Sequence, residues 1–351
     1  MRYGWALGLL LAVLLALPVS GRSAVVLVYH HVSESTPAST SVTPARFAAH
    51  LDYLDGEGFA VWPVERLLAA VIDRAEAVPE RVVAITFDDA YASVYETAWP
   101  MLKERGWPFA VFVNTDAIDA GHAPYMDWDA LRELHADGVT IGNHSASHAH
   151  LIAREPGESG SAWRARVRAD LDQARQRIGE EIGAIPDLFA YPYGEDSAEL
   201  AELVGEDHRY ALVQRSGAVG QHTEPLAVPR FPMASGFDDP ERFVLAVHSR
   251  ALPVIKVDPV PPGDGVRGPL QSLRLRIAEG DYRVNQVGCF SSTGTRLETE
   301  LVMGSPHRLK VHMAGAGSTG RNKINCTAPA ADGSGDFFWY SFQWVQDAAR
   351  D

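Results

Sequence analysis

The stretch Arg81-Val-Val-Ala-Ile-Thr-Phe-Asp-Asp89 decides the fold class, because an apolar run ends there in two carboxylates. Residues 81–87 are almost continuously apolar, which predicts a strand buried on both faces in a parallel sheet covered by helices. Asp88 and Asp89 follow at the end of that strand. Adjacent carboxylates repel each other unless a cation or a donor lies between them, although one of them could instead cap the next helix.

Strand-like and helix-like segments alternate on both sides of this stretch. The strand-like segments are 24–29, 81–87, 109–113, 139–141, 188–191 and 210–213, and the helix-like segments are 43–56, 91–105, 128–136, 162–182, 197–204 and 239–248. This alternation predicts an α/β fold, and the number of units favours a closed or nearly closed barrel over an open sheet. Active groups in such folds lie on the loops at the carboxyl ends of the strands.

The pattern changes after residue 252. Residues 253–265 contain Pro259-Val-Pro-Pro-Gly-Asp-Gly265, which is typical of a stiff polar linker. Beyond it, apolar and polar residues alternate, for example over residues 273–277, which predicts antiparallel strands. We therefore expect a barrel over residues 24–252 and a small β-sandwich-like accessory domain over residues 266–351.

The last expected strand carries an aromatic run, Phe337-Phe-Trp-Tyr-Ser-Phe-Gln-Trp344. Alternation puts one set of these side chains on one face: Phe338, Tyr340, Phe342 and Trp344. This larger set is typical of a sandwich core. Trp339, on the other face, could stack on a sugar, so the strand has a structural and a binding interpretation.

The first residues predict export. Arg2 precedes an apolar run of thirteen residues, 5–17, and small and helix-breaking residues follow it, which is the order of a secretory signal. Such a run is short for a permanent bilayer span, so we expect a signal peptide over residues 1–23, with an uncleaved anchor as the alternative. The protein would then be periplasmic or secreted, without stable membrane insertion after cleavage. Oxidising conditions there predict a disulfide between Cys289 and Cys326.

Composition excludes one class of partner. The 351 residues are 46% hydrophobic and 22% charged, which is typical of a globular protein with a sizeable core. The formal net charge of −14 argues against nucleic-acid binding, which needs clustered cations. We expect a monomer that does not bind nucleic acid.

A second polar strand end is Gly142-Asn-His-Ser-Ala-Ser-His-Ala-His150. His144 and His148 are four residues apart, so both rings can reach one ion if the segment turns helically. With one aspartate they form the set of two histidines and a carboxylate that holds a catalytic divalent metal: zinc by default, or cobalt, nickel or iron. The second aspartate could serve as general base to water. We expect His150 to be solvated.

Three motifs resemble one family. Thr86-Phe-Asp-Asp89, His144-Ser-Ala-Ser-His148 and Tyr191-Pro-Tyr-Gly194 are similar to the first three signature motifs of the polysaccharide deacetylases, the family-four carbohydrate esterases. They occur in the family's order, and the resemblance covers roughly residues 24–250. It implies a distorted (β/α) barrel, here followed by the small C-terminal antiparallel β domain, and metal-dependent removal of acetyl groups from an N-acetylated sugar.

The resemblance also implies residue roles. Three residues would be metal ligands: Asp89, His144 and His148. Asp88 would be the general base, and the backbone N–H of Tyr193 would help to hold the oxyanion. Ser145 would support the histidine loop rather than react.

The third motif departs from the family pattern. It usually begins with an arginine that orients the catalytic aspartate, but Ala190 occupies that position here. Arg230, in Val228-Pro-Arg-Phe231 at a later strand end, could supply the guanidinium from another loop. A surface ion pair is an equal alternative for Arg230.

The acid that protonates the leaving amine has two candidates. Leu245-Ala-Val-His248 matches the letters of a late family motif, but Asp239 predicts a helix start just before it. In a permuted subset, similar to the biofilm poly-N-acetylglucosamine deacetylases, the relevant strand comes first and carries Tyr-His, as Tyr29-His30 does here. Strand-end geometry favours His30 over His248, and His31 would point away and be structural.

The resemblance thus implies an exported hydrolase that releases acetate from an N-acetylglucosamine-containing polysaccharide. Poly-β-1,6-N-acetylglucosamine is favoured, and chitin and peptidoglycan stay open. An O-acetyl polysaccharide esterase needs the same metal and base, so it is the nearest alternative. A catalytically inactive carbohydrate-binding protein is the non-enzymatic one.

Overall fold

The computed structural model describes residues 23–260, 270–313 and 317–346. The predicted signal peptide therefore lies outside the described residues except for Ser23, which begins the first strand. Within these ranges no helix is both long enough and apolar enough to cross a membrane.

Within residues 23–247 the structure has eleven strands and eight α-helices. The strands are β1 (Ser23–Tyr29), β2 (His31–Val32), β3 (Ser41–Val42), β4 (Ala60–Val61), β5 (Val82–Phe87), β6 (Ala110–Val113), β7 (Thr140–Asn143), β8 (Leu188–Ala190), β9 (Tyr210–Leu212), β10 (Val219–Gly220) and β11 (Phe231–Pro232). The helices are α1 (Pro44–Gly56), α2 (Val64–Leu68), α3 (Trp99–Glu104), α4 (Thr115–Asp119), α5 (Trp128–Ala136), α6 (Gly160–Ile182), α7 (Ala198–Val204) and α8 (Pro240–Val247).

Nine of these strands form one curled sheet. Its order is β10-β1-β5-β6-β7-β8-β9, with β4 beside β5 and β11 beside β1, and only the pairing of β10 with β1 is antiparallel. The segment around β11 joins β1 to β9 and so nearly closes the sheet. Phe231 pairs with Leu27 of β1, and Val228 forms a bridge with Leu212 of β9. This arrangement confirms the predicted distorted (β/α) barrel.

Helix signals in the sequence act locally as expected. The hydroxyl of Thr43 accepts a hydrogen bond from the backbone N–H of Arg46, so α1 begins just after its predicted cap. The helix predicted over residues 91–105, with an interruption at Pro100, is also irregular in the structure. A π-helical turn, Val94–Ala98, runs directly into α3, where Pro100 lacks the N–H that a regular helix would use.

Two sheets form the C-terminal part, and all of their strand pairs are antiparallel except β12 with β19. Their strands are β12 (Arg250–Ala251), β13 (Val254–Val260), β14 (Ser272–Ile277), β15 (Gly288–Ser291), β16 (Thr299–Val302), β17 (His307–His312), β18 (Gly320–Pro329) and β19 (Phe337–Gln346). One sheet, called here the C-terminal sheet, has the order β12-β19-β18-β15, and the other has the order β13-β14-β17-β16. The predicted disulfide is confirmed, since Cys289 of β15 and Cys326 of β18 are bonded and are also register partners.

The linker predicted for residues 253–265 needs correction. Residues 254–260 form β13, which pairs with β14 from Val254 to Val260, and residues 261–265 lie outside the described residues. Pro259 suggested a linker, but β13 is an edge strand, where a missing backbone donor is tolerated. The parallel pairing of β12 with β19 also joins the end of the predicted barrel region to the C-terminal sheet.

The aromatic run in β19 divides as alternation predicts. Phe338 and Trp344 are buried in the core between the two C-terminal sheets. Trp339 faces the barrel, where its ring packs edge-on against Phe231 at a centroid distance of 5.5 Å. The Trp339 ring is therefore used for packing between the C-terminal sheet and the barrel, and the expected sugar-stacking role does not apply.

Candidate active site

Asp89, His144 and His148 converge at the carboxyl edge of the barrel sheet. Asp89 follows β5 and the histidines follow β7, two strands along the sheet. The Oδ1 atom of Asp89 lies 3.4 Å from His144 Nε2 and 3.1 Å from His148 Nε2. One ligand atom from each residue lies within 4.8 Å of the other two, so all three can reach one ion. The sequence predicted this cluster correctly as a place where metal-ligand side chains meet.

Two atoms of this cluster show that the residues fit a cation. The Nδ1 atom of His144 lies 2.7 Å from the carbonyl oxygen of Ala190 and must donate its hydrogen there, so the Nε2 lone pair faces Asp89. His144 Nε2 and Asp89 Oδ1 are both buried without a hydrogen-bond partner of acceptable geometry among the described residues. Burial would lower the pKa of His144, but the carboxylates of Asp89 and Asp88 raise it above its ordinary value. The site therefore favours positive charge, as a divalent metal would supply.

The histidine loop, residues 143–150, is held by its own side chains and by α6. The hydroxyl of Ser145 accepts a hydrogen bond from the N–H of His148 at 2.9 Å, the supporting contact expected for Ser145. Asp170 of α6 accepts a hydrogen bond from the N–H of Ala146 at 2.9 Å and contacts Ser147. These bonds fix the backbone that carries both histidines.

Asp88 and Arg230 form a fully buried ion pair beside the cluster. Both side chains are 0% exposed, and the guanidinium donates to Asp88 Oδ1 and Oδ2 at 2.7 Å each. Burial by itself would raise the pKa of Asp88, but the charge of Arg230 prevails and holds it below its ordinary value. Asp88 is therefore ionised at neutral pH, and the surface ion pair considered for Arg230 is excluded.

His30 lies at the end of β1 and reaches the same site through Gln214. The Nε2 atom of Gln214 lies 3.1 Å from His30 Nε2 and 3.2 Å from Asp88 Oδ2. Burial lowers the pKa of His30 from its ordinary value, with Asp88 and Asp89 opposing that effect. The neighbouring His31 has a different environment, since its ring stacks on Tyr91 at 3.5 Å and burial lowers its pKa to about 4.

His248 lies elsewhere. It ends α8, where its Nε2 atom is 3.0 Å from the hydroxyl of Tyr53 and its ring contacts Phe59. Phe59 directly precedes β4, which pairs with the amino end of β5. His248 is therefore at the opposite edge of the barrel from Asp88, and only His30 of the two candidate acids reaches the site.

Tyr193 lies in a turn with unusual backbone geometry. The turn Pro192–Gly194, called here the Tyr193 turn, follows β8, and Tyr193 has φ 59° and ψ 5°. The ring of Tyr193 stacks on His150 at 4.0 Å and meets His148 edge-on at 4.7 Å. His150, expected to be merely solvated, is also 2.8 Å from Glu195, so it supports this turn.

Left-handed backbone is concentrated around this site. Six non-glycine residues in the described part of the chain have positive φ, and five of them lie here: Asp89, Ala90, Ser145, His148 and Tyr193. Such conformations are disfavoured for side chains with a Cβ and cluster at functional sites. The strain agrees with a site whose shape is set by function.

Sequence reasoning missed Gln214 and Asp170. Gln214 closely follows β9, so the rule that polar residues matter at the carboxyl ends of strands could have found it. Asp170 lies within the long charged helix α6, where nothing in the local pattern separates it from its neighbours.

Comparison with known families agrees with this geometry. Residues 75–211 match the family model of the polysaccharide deacetylases. The predicted resemblance to the polysaccharide deacetylases is confirmed over these residues. The matched range includes Asp88, Asp89, both clustered histidines and Tyr193, whereas His30 and Arg230 lie outside it. Polysaccharide deacetylases are hydrolases, so the match agrees with the predicted enzyme class.

Individual relatives are distant. The chain is 25% identical to the Bacillus subtilis (strain 168) protein YxkH over 215 residues, which are 60% of this chain and 71% of that protein. It is 22% identical over 210 residues to the poly-β-1,6-N-acetyl-D-glucosamine N-deacetylase of Staphylococcus aureus (strain MRSA252), covering 58% of this chain and 71% of the relative. The structure of IcaB from Ammonifex degensii superposes with a TM-score of 0.57 at 24% identity, covering 65% of this chain and 98% of that one. This likeness confirms the fold.

Proposed function

We propose that this protein is a metal-dependent N-deacetylase of an N-acetylglucosamine-containing polysaccharide, and that it releases acetate. The observation that carries the proposal is the buried, ionised Asp88 beside the cluster of Asp89, His144 and His148. A carboxylate held next to a metal site is what a hydrolase needs to accept a proton from water.

Poly-β-1,6-N-acetylglucosamine is the favoured substrate. The support is the Staphylococcus aureus relative, whose name states that polymer, at 22% identity. Chitin and peptidoglycan carry the same N-acetyl group and are the competing polymers in the test below.

Asp89, His144 and His148 hold one divalent cation in this proposal, with zinc as the default and cobalt, nickel or iron as alternatives. When bound, such a cation supplies Lewis acidity to the acetyl carbonyl and to water. Asp88 accepts the proton of the attacking water at its carboxylate. Arg230 keeps that carboxylate ionised and fixes its plane through two hydrogen bonds.

His30 and Tyr193 complete the reaction. The backbone N–H of Tyr193 donates to the oxyanion that develops on the acetyl carbonyl. His30, as an imidazolium, protonates the departing amine nitrogen. Because burial lowers the pKa of His30, its protonated form is a stronger acid than free imidazolium.

The protein acts outside the cytoplasm as a monomer in this proposal. The disulfide between Cys289 and Cys326 supports an oxidising compartment, such as the periplasm or the exterior. The predicted signal peptide at residues 1–23 is the sequence basis for export.

Acetate release tests the function directly. We expect release from poly-β-1,6-N-acetylglucosamine to exceed that from chitin oligosaccharides and peptidoglycan, to stop after chelation and to return with zinc. Asp88→Asn should bind zinc normally but lose about 100- to 10,000-fold in kcat.

Three outcomes would contradict the proposal. Wild-type rates in zinc-loaded Asp88→Asn would remove Asp88 as the base. Release only from O-acetylated polymers would favour an esterase. Absence of both bound metal and acetate release would favour a carbohydrate-binding protein.

A further inference from the structure

The backbone of the Tyr193 turn needs support from outside the turn. Tyr193 and Gly194 are consecutive left-handed residues, with φ 59° and 67°. Gly194 cannot be replaced without movement, because a Cβ there would lie 2.4 Å from the backbone nitrogen of Gln214. A residue with a Cβ leaves the left-handed region readily unless neighbouring groups hold it there.

Two side chains of the C-terminal sheet hold the carbonyl groups of this turn. Arg321 of β18 donates a hydrogen bond to the carbonyl oxygen of Tyr193. Gln343 of β19 donates to the carbonyl oxygen of Gly194 at 2.7 Å, in a buried position. Within the turn region, the N–H of Glu195 also donates to the carbonyl oxygen of Pro192, at 3.2 Å. Three successive carbonyl groups are thus fixed, two of them by the C-terminal sheet.

Strand pairing brings these two donors together. Gln343 is the register partner of Lys323, and Arg321 lies two residues before Lys323, so all three side chains leave the same face of the sheet. The opposite face of the same strands is buried between the two C-terminal sheets, as Ile324 and Trp344 show. The orientation of Arg321 and Gln343 is therefore set by the core behind them.

The other side of the turn faces the metal cluster. The Tyr193 ring lies against His148 and His150 of the histidine loop. The C-terminal sheet and the histidine loop therefore hold the turn from two sides. The carbonyl groups of Tyr193 and Gly194 share their peptide planes with the N–H groups of Gly194 and Glu195, so the C-terminal sheet fixes these two planes directly. The N–H of Tyr193 shares its plane with the carbonyl of Pro192, which accepts from the N–H of Glu195, so the sheet restrains it through the backbone of the turn.

We propose that Arg321 and Gln343 are positioning residues of the active site, through which the C-terminal sheet holds the Tyr193 turn in its catalytic conformation. The expected effect on kcat rests on the proposed function. The restraint of the Tyr193 turn by these two side chains does not depend on which substrate the protein acts on.

The test compares Arg321→Ala, Arg321→Lys and the double variant Arg321→Ala with Gln343→Leu against the wild type. Arg274→Ala is the matched control, because Arg274 is an exposed arginine on β14, in the other C-terminal sheet. Hydrogen exchange is measured at the backbone amides of residues 193–195, and kcat and KM are measured by acetate release. Thermal unfolding shows which variants stay folded. Arg321 is exposed, so Arg321→Ala tests the proposal even if loss of the buried Gln343 amide unfolds the double variant.

We expect faster exchange at residues 193–195 in Arg321→Ala and still faster exchange in the double variant. The kcat should fall about 10- to 100-fold, as for other small misplacements of catalytic groups, while KM changes less than about twofold. Arg321→Lys should recover part of the rate, and Arg274→Ala should match the wild type.

Unchanged exchange at residues 193–195 would overturn the proposal, and so would faster exchange with a wild-type kcat. A raised KM with unchanged kcat would mean that Arg321 binds substrate instead. If the wild type releases no acetate, the proposed function fails, and the exchange measurement alone then decides whether the sheet restrains the turn.

Discussion

All three nitrogen atoms of the Arg230 guanidinium donate hydrogen bonds within the barrel. Besides the two bonds to Asp88, Arg230 donates from Nε to the carbonyl oxygen of Val213 at 3.0 Å and from Nη1 to the hydroxyl of Thr86 at 3.2 Å. A lysine has no planar fork and could not reproduce this arrangement. At the scale of single residues, the charge state and the orientation of Asp88 therefore depend on one arginine from a distant part of the chain.

Replacing the two candidate acids separately tests the role of His30. His30→Ala should lower kcat for N-acetylated polymer about 100- to 10,000-fold, because the amine would leave without a proton donor. His248→Ala is the matched control and should stay within about twofold of the wild type, since His248 lies at the other edge of the barrel. Equal losses in both variants, measured by acetate release at pH 7, would contradict the assignment of His30.

Residues at strand ends were predictable because local sequence marks them. Asp88, Asp89 and His30 each follow an apolar run, and the spacing of His144 and His148 is a local signal. The contact between Arg230 and Asp88 spans 142 positions, so no local pattern could establish it. Gln214 shows the limit of the same rule, since one uncharged polar residue after a strand is too common to stand out.

Helix α6 links the surface of the barrel to the histidine loop. Ser159 caps its first turn, since the Ser159 hydroxyl accepts a hydrogen bond from the N–H of Ala162, and Gly183 caps its last turn in the left-handed conformation. Its buried residues include Trp163 and Val167, which fix the helix against the barrel. Asp170 projects from this anchored helix to the histidine loop, so at the scale of elements the helix supports the backbone that carries His144 and His148.

Removing the Asp170 carboxylate should weaken metal binding without removing a ligand. We expect Asp170→Ala to lower zinc affinity about 10- to 100-fold, the usual effect of losing a group that orients metal ligands. Asp172→Ala is the control, because Asp172 lies on the same helix with an exposed side chain. Calorimetric titration with zinc measures both, and equal affinities in the two variants would contradict a supporting role for Asp170.

Elements with clear end signals were predicted best. The cap at Thr43 gave the correct start of α1, and the capping residue Asp239 correctly preceded α8. β13 was missed because its proline suggested a linker, whereas its pairing with β14 depends on residues far along the chain. Hydrogen bonding between distant segments outweighed the local preference.

Charge is concentrated where the C-terminal sheet meets the barrel. Lys323 and Arg321 of β18 lie near Arg215, which pairs with Asp196 at 2.8 Å. Burial, together with Arg321 and Arg215, lowers the pKa of Lys323 to about 8. At the scale of the whole molecule, this contact therefore carries an electrostatic cost at neutral pH.

The cost predicts a dependence of stability on pH. Lysine in the unfolded chain has a pKa of about 10.4, so between about pH 8 and about pH 10.4 the unfolded chain binds more protons than the folded protein. The free energy of unfolding contributed by Lys323 should therefore rise with pH across that window. Lys323→Met should remove this rise and should be more stable than the wild type at pH 7, by about 1–3 kcal/mol.

Urea unfolding between pH 7 and pH 10 measures this effect. Lys256→Met is the control, because the side chain of Lys256 is 52% exposed, and it should keep the wild-type slope. If the free energy of unfolding depends on pH equally in the wild type and in Lys323→Met, the pKa of Lys323 is not lowered by folding.

The contact between the C-terminal sheet and the barrel could not be predicted from the sequence, because the polar face of β18 resembles any solvent-exposed strand face.

Closure of the barrel has a consequence for when the protein can act. His30 follows β1 and Arg230 precedes β11, and these are the strands that pair where the sheet closes, Leu27 with Phe231. The three proposed metal ligands instead follow β5 and β7, which are joined through β6 without that seam. A chain with an open seam would keep these three side chains together but would lack both the proposed acid and the arginine that aligns the proposed base. Under the proposed function, an incompletely folded chain could therefore bind metal before it could catalyse the reaction.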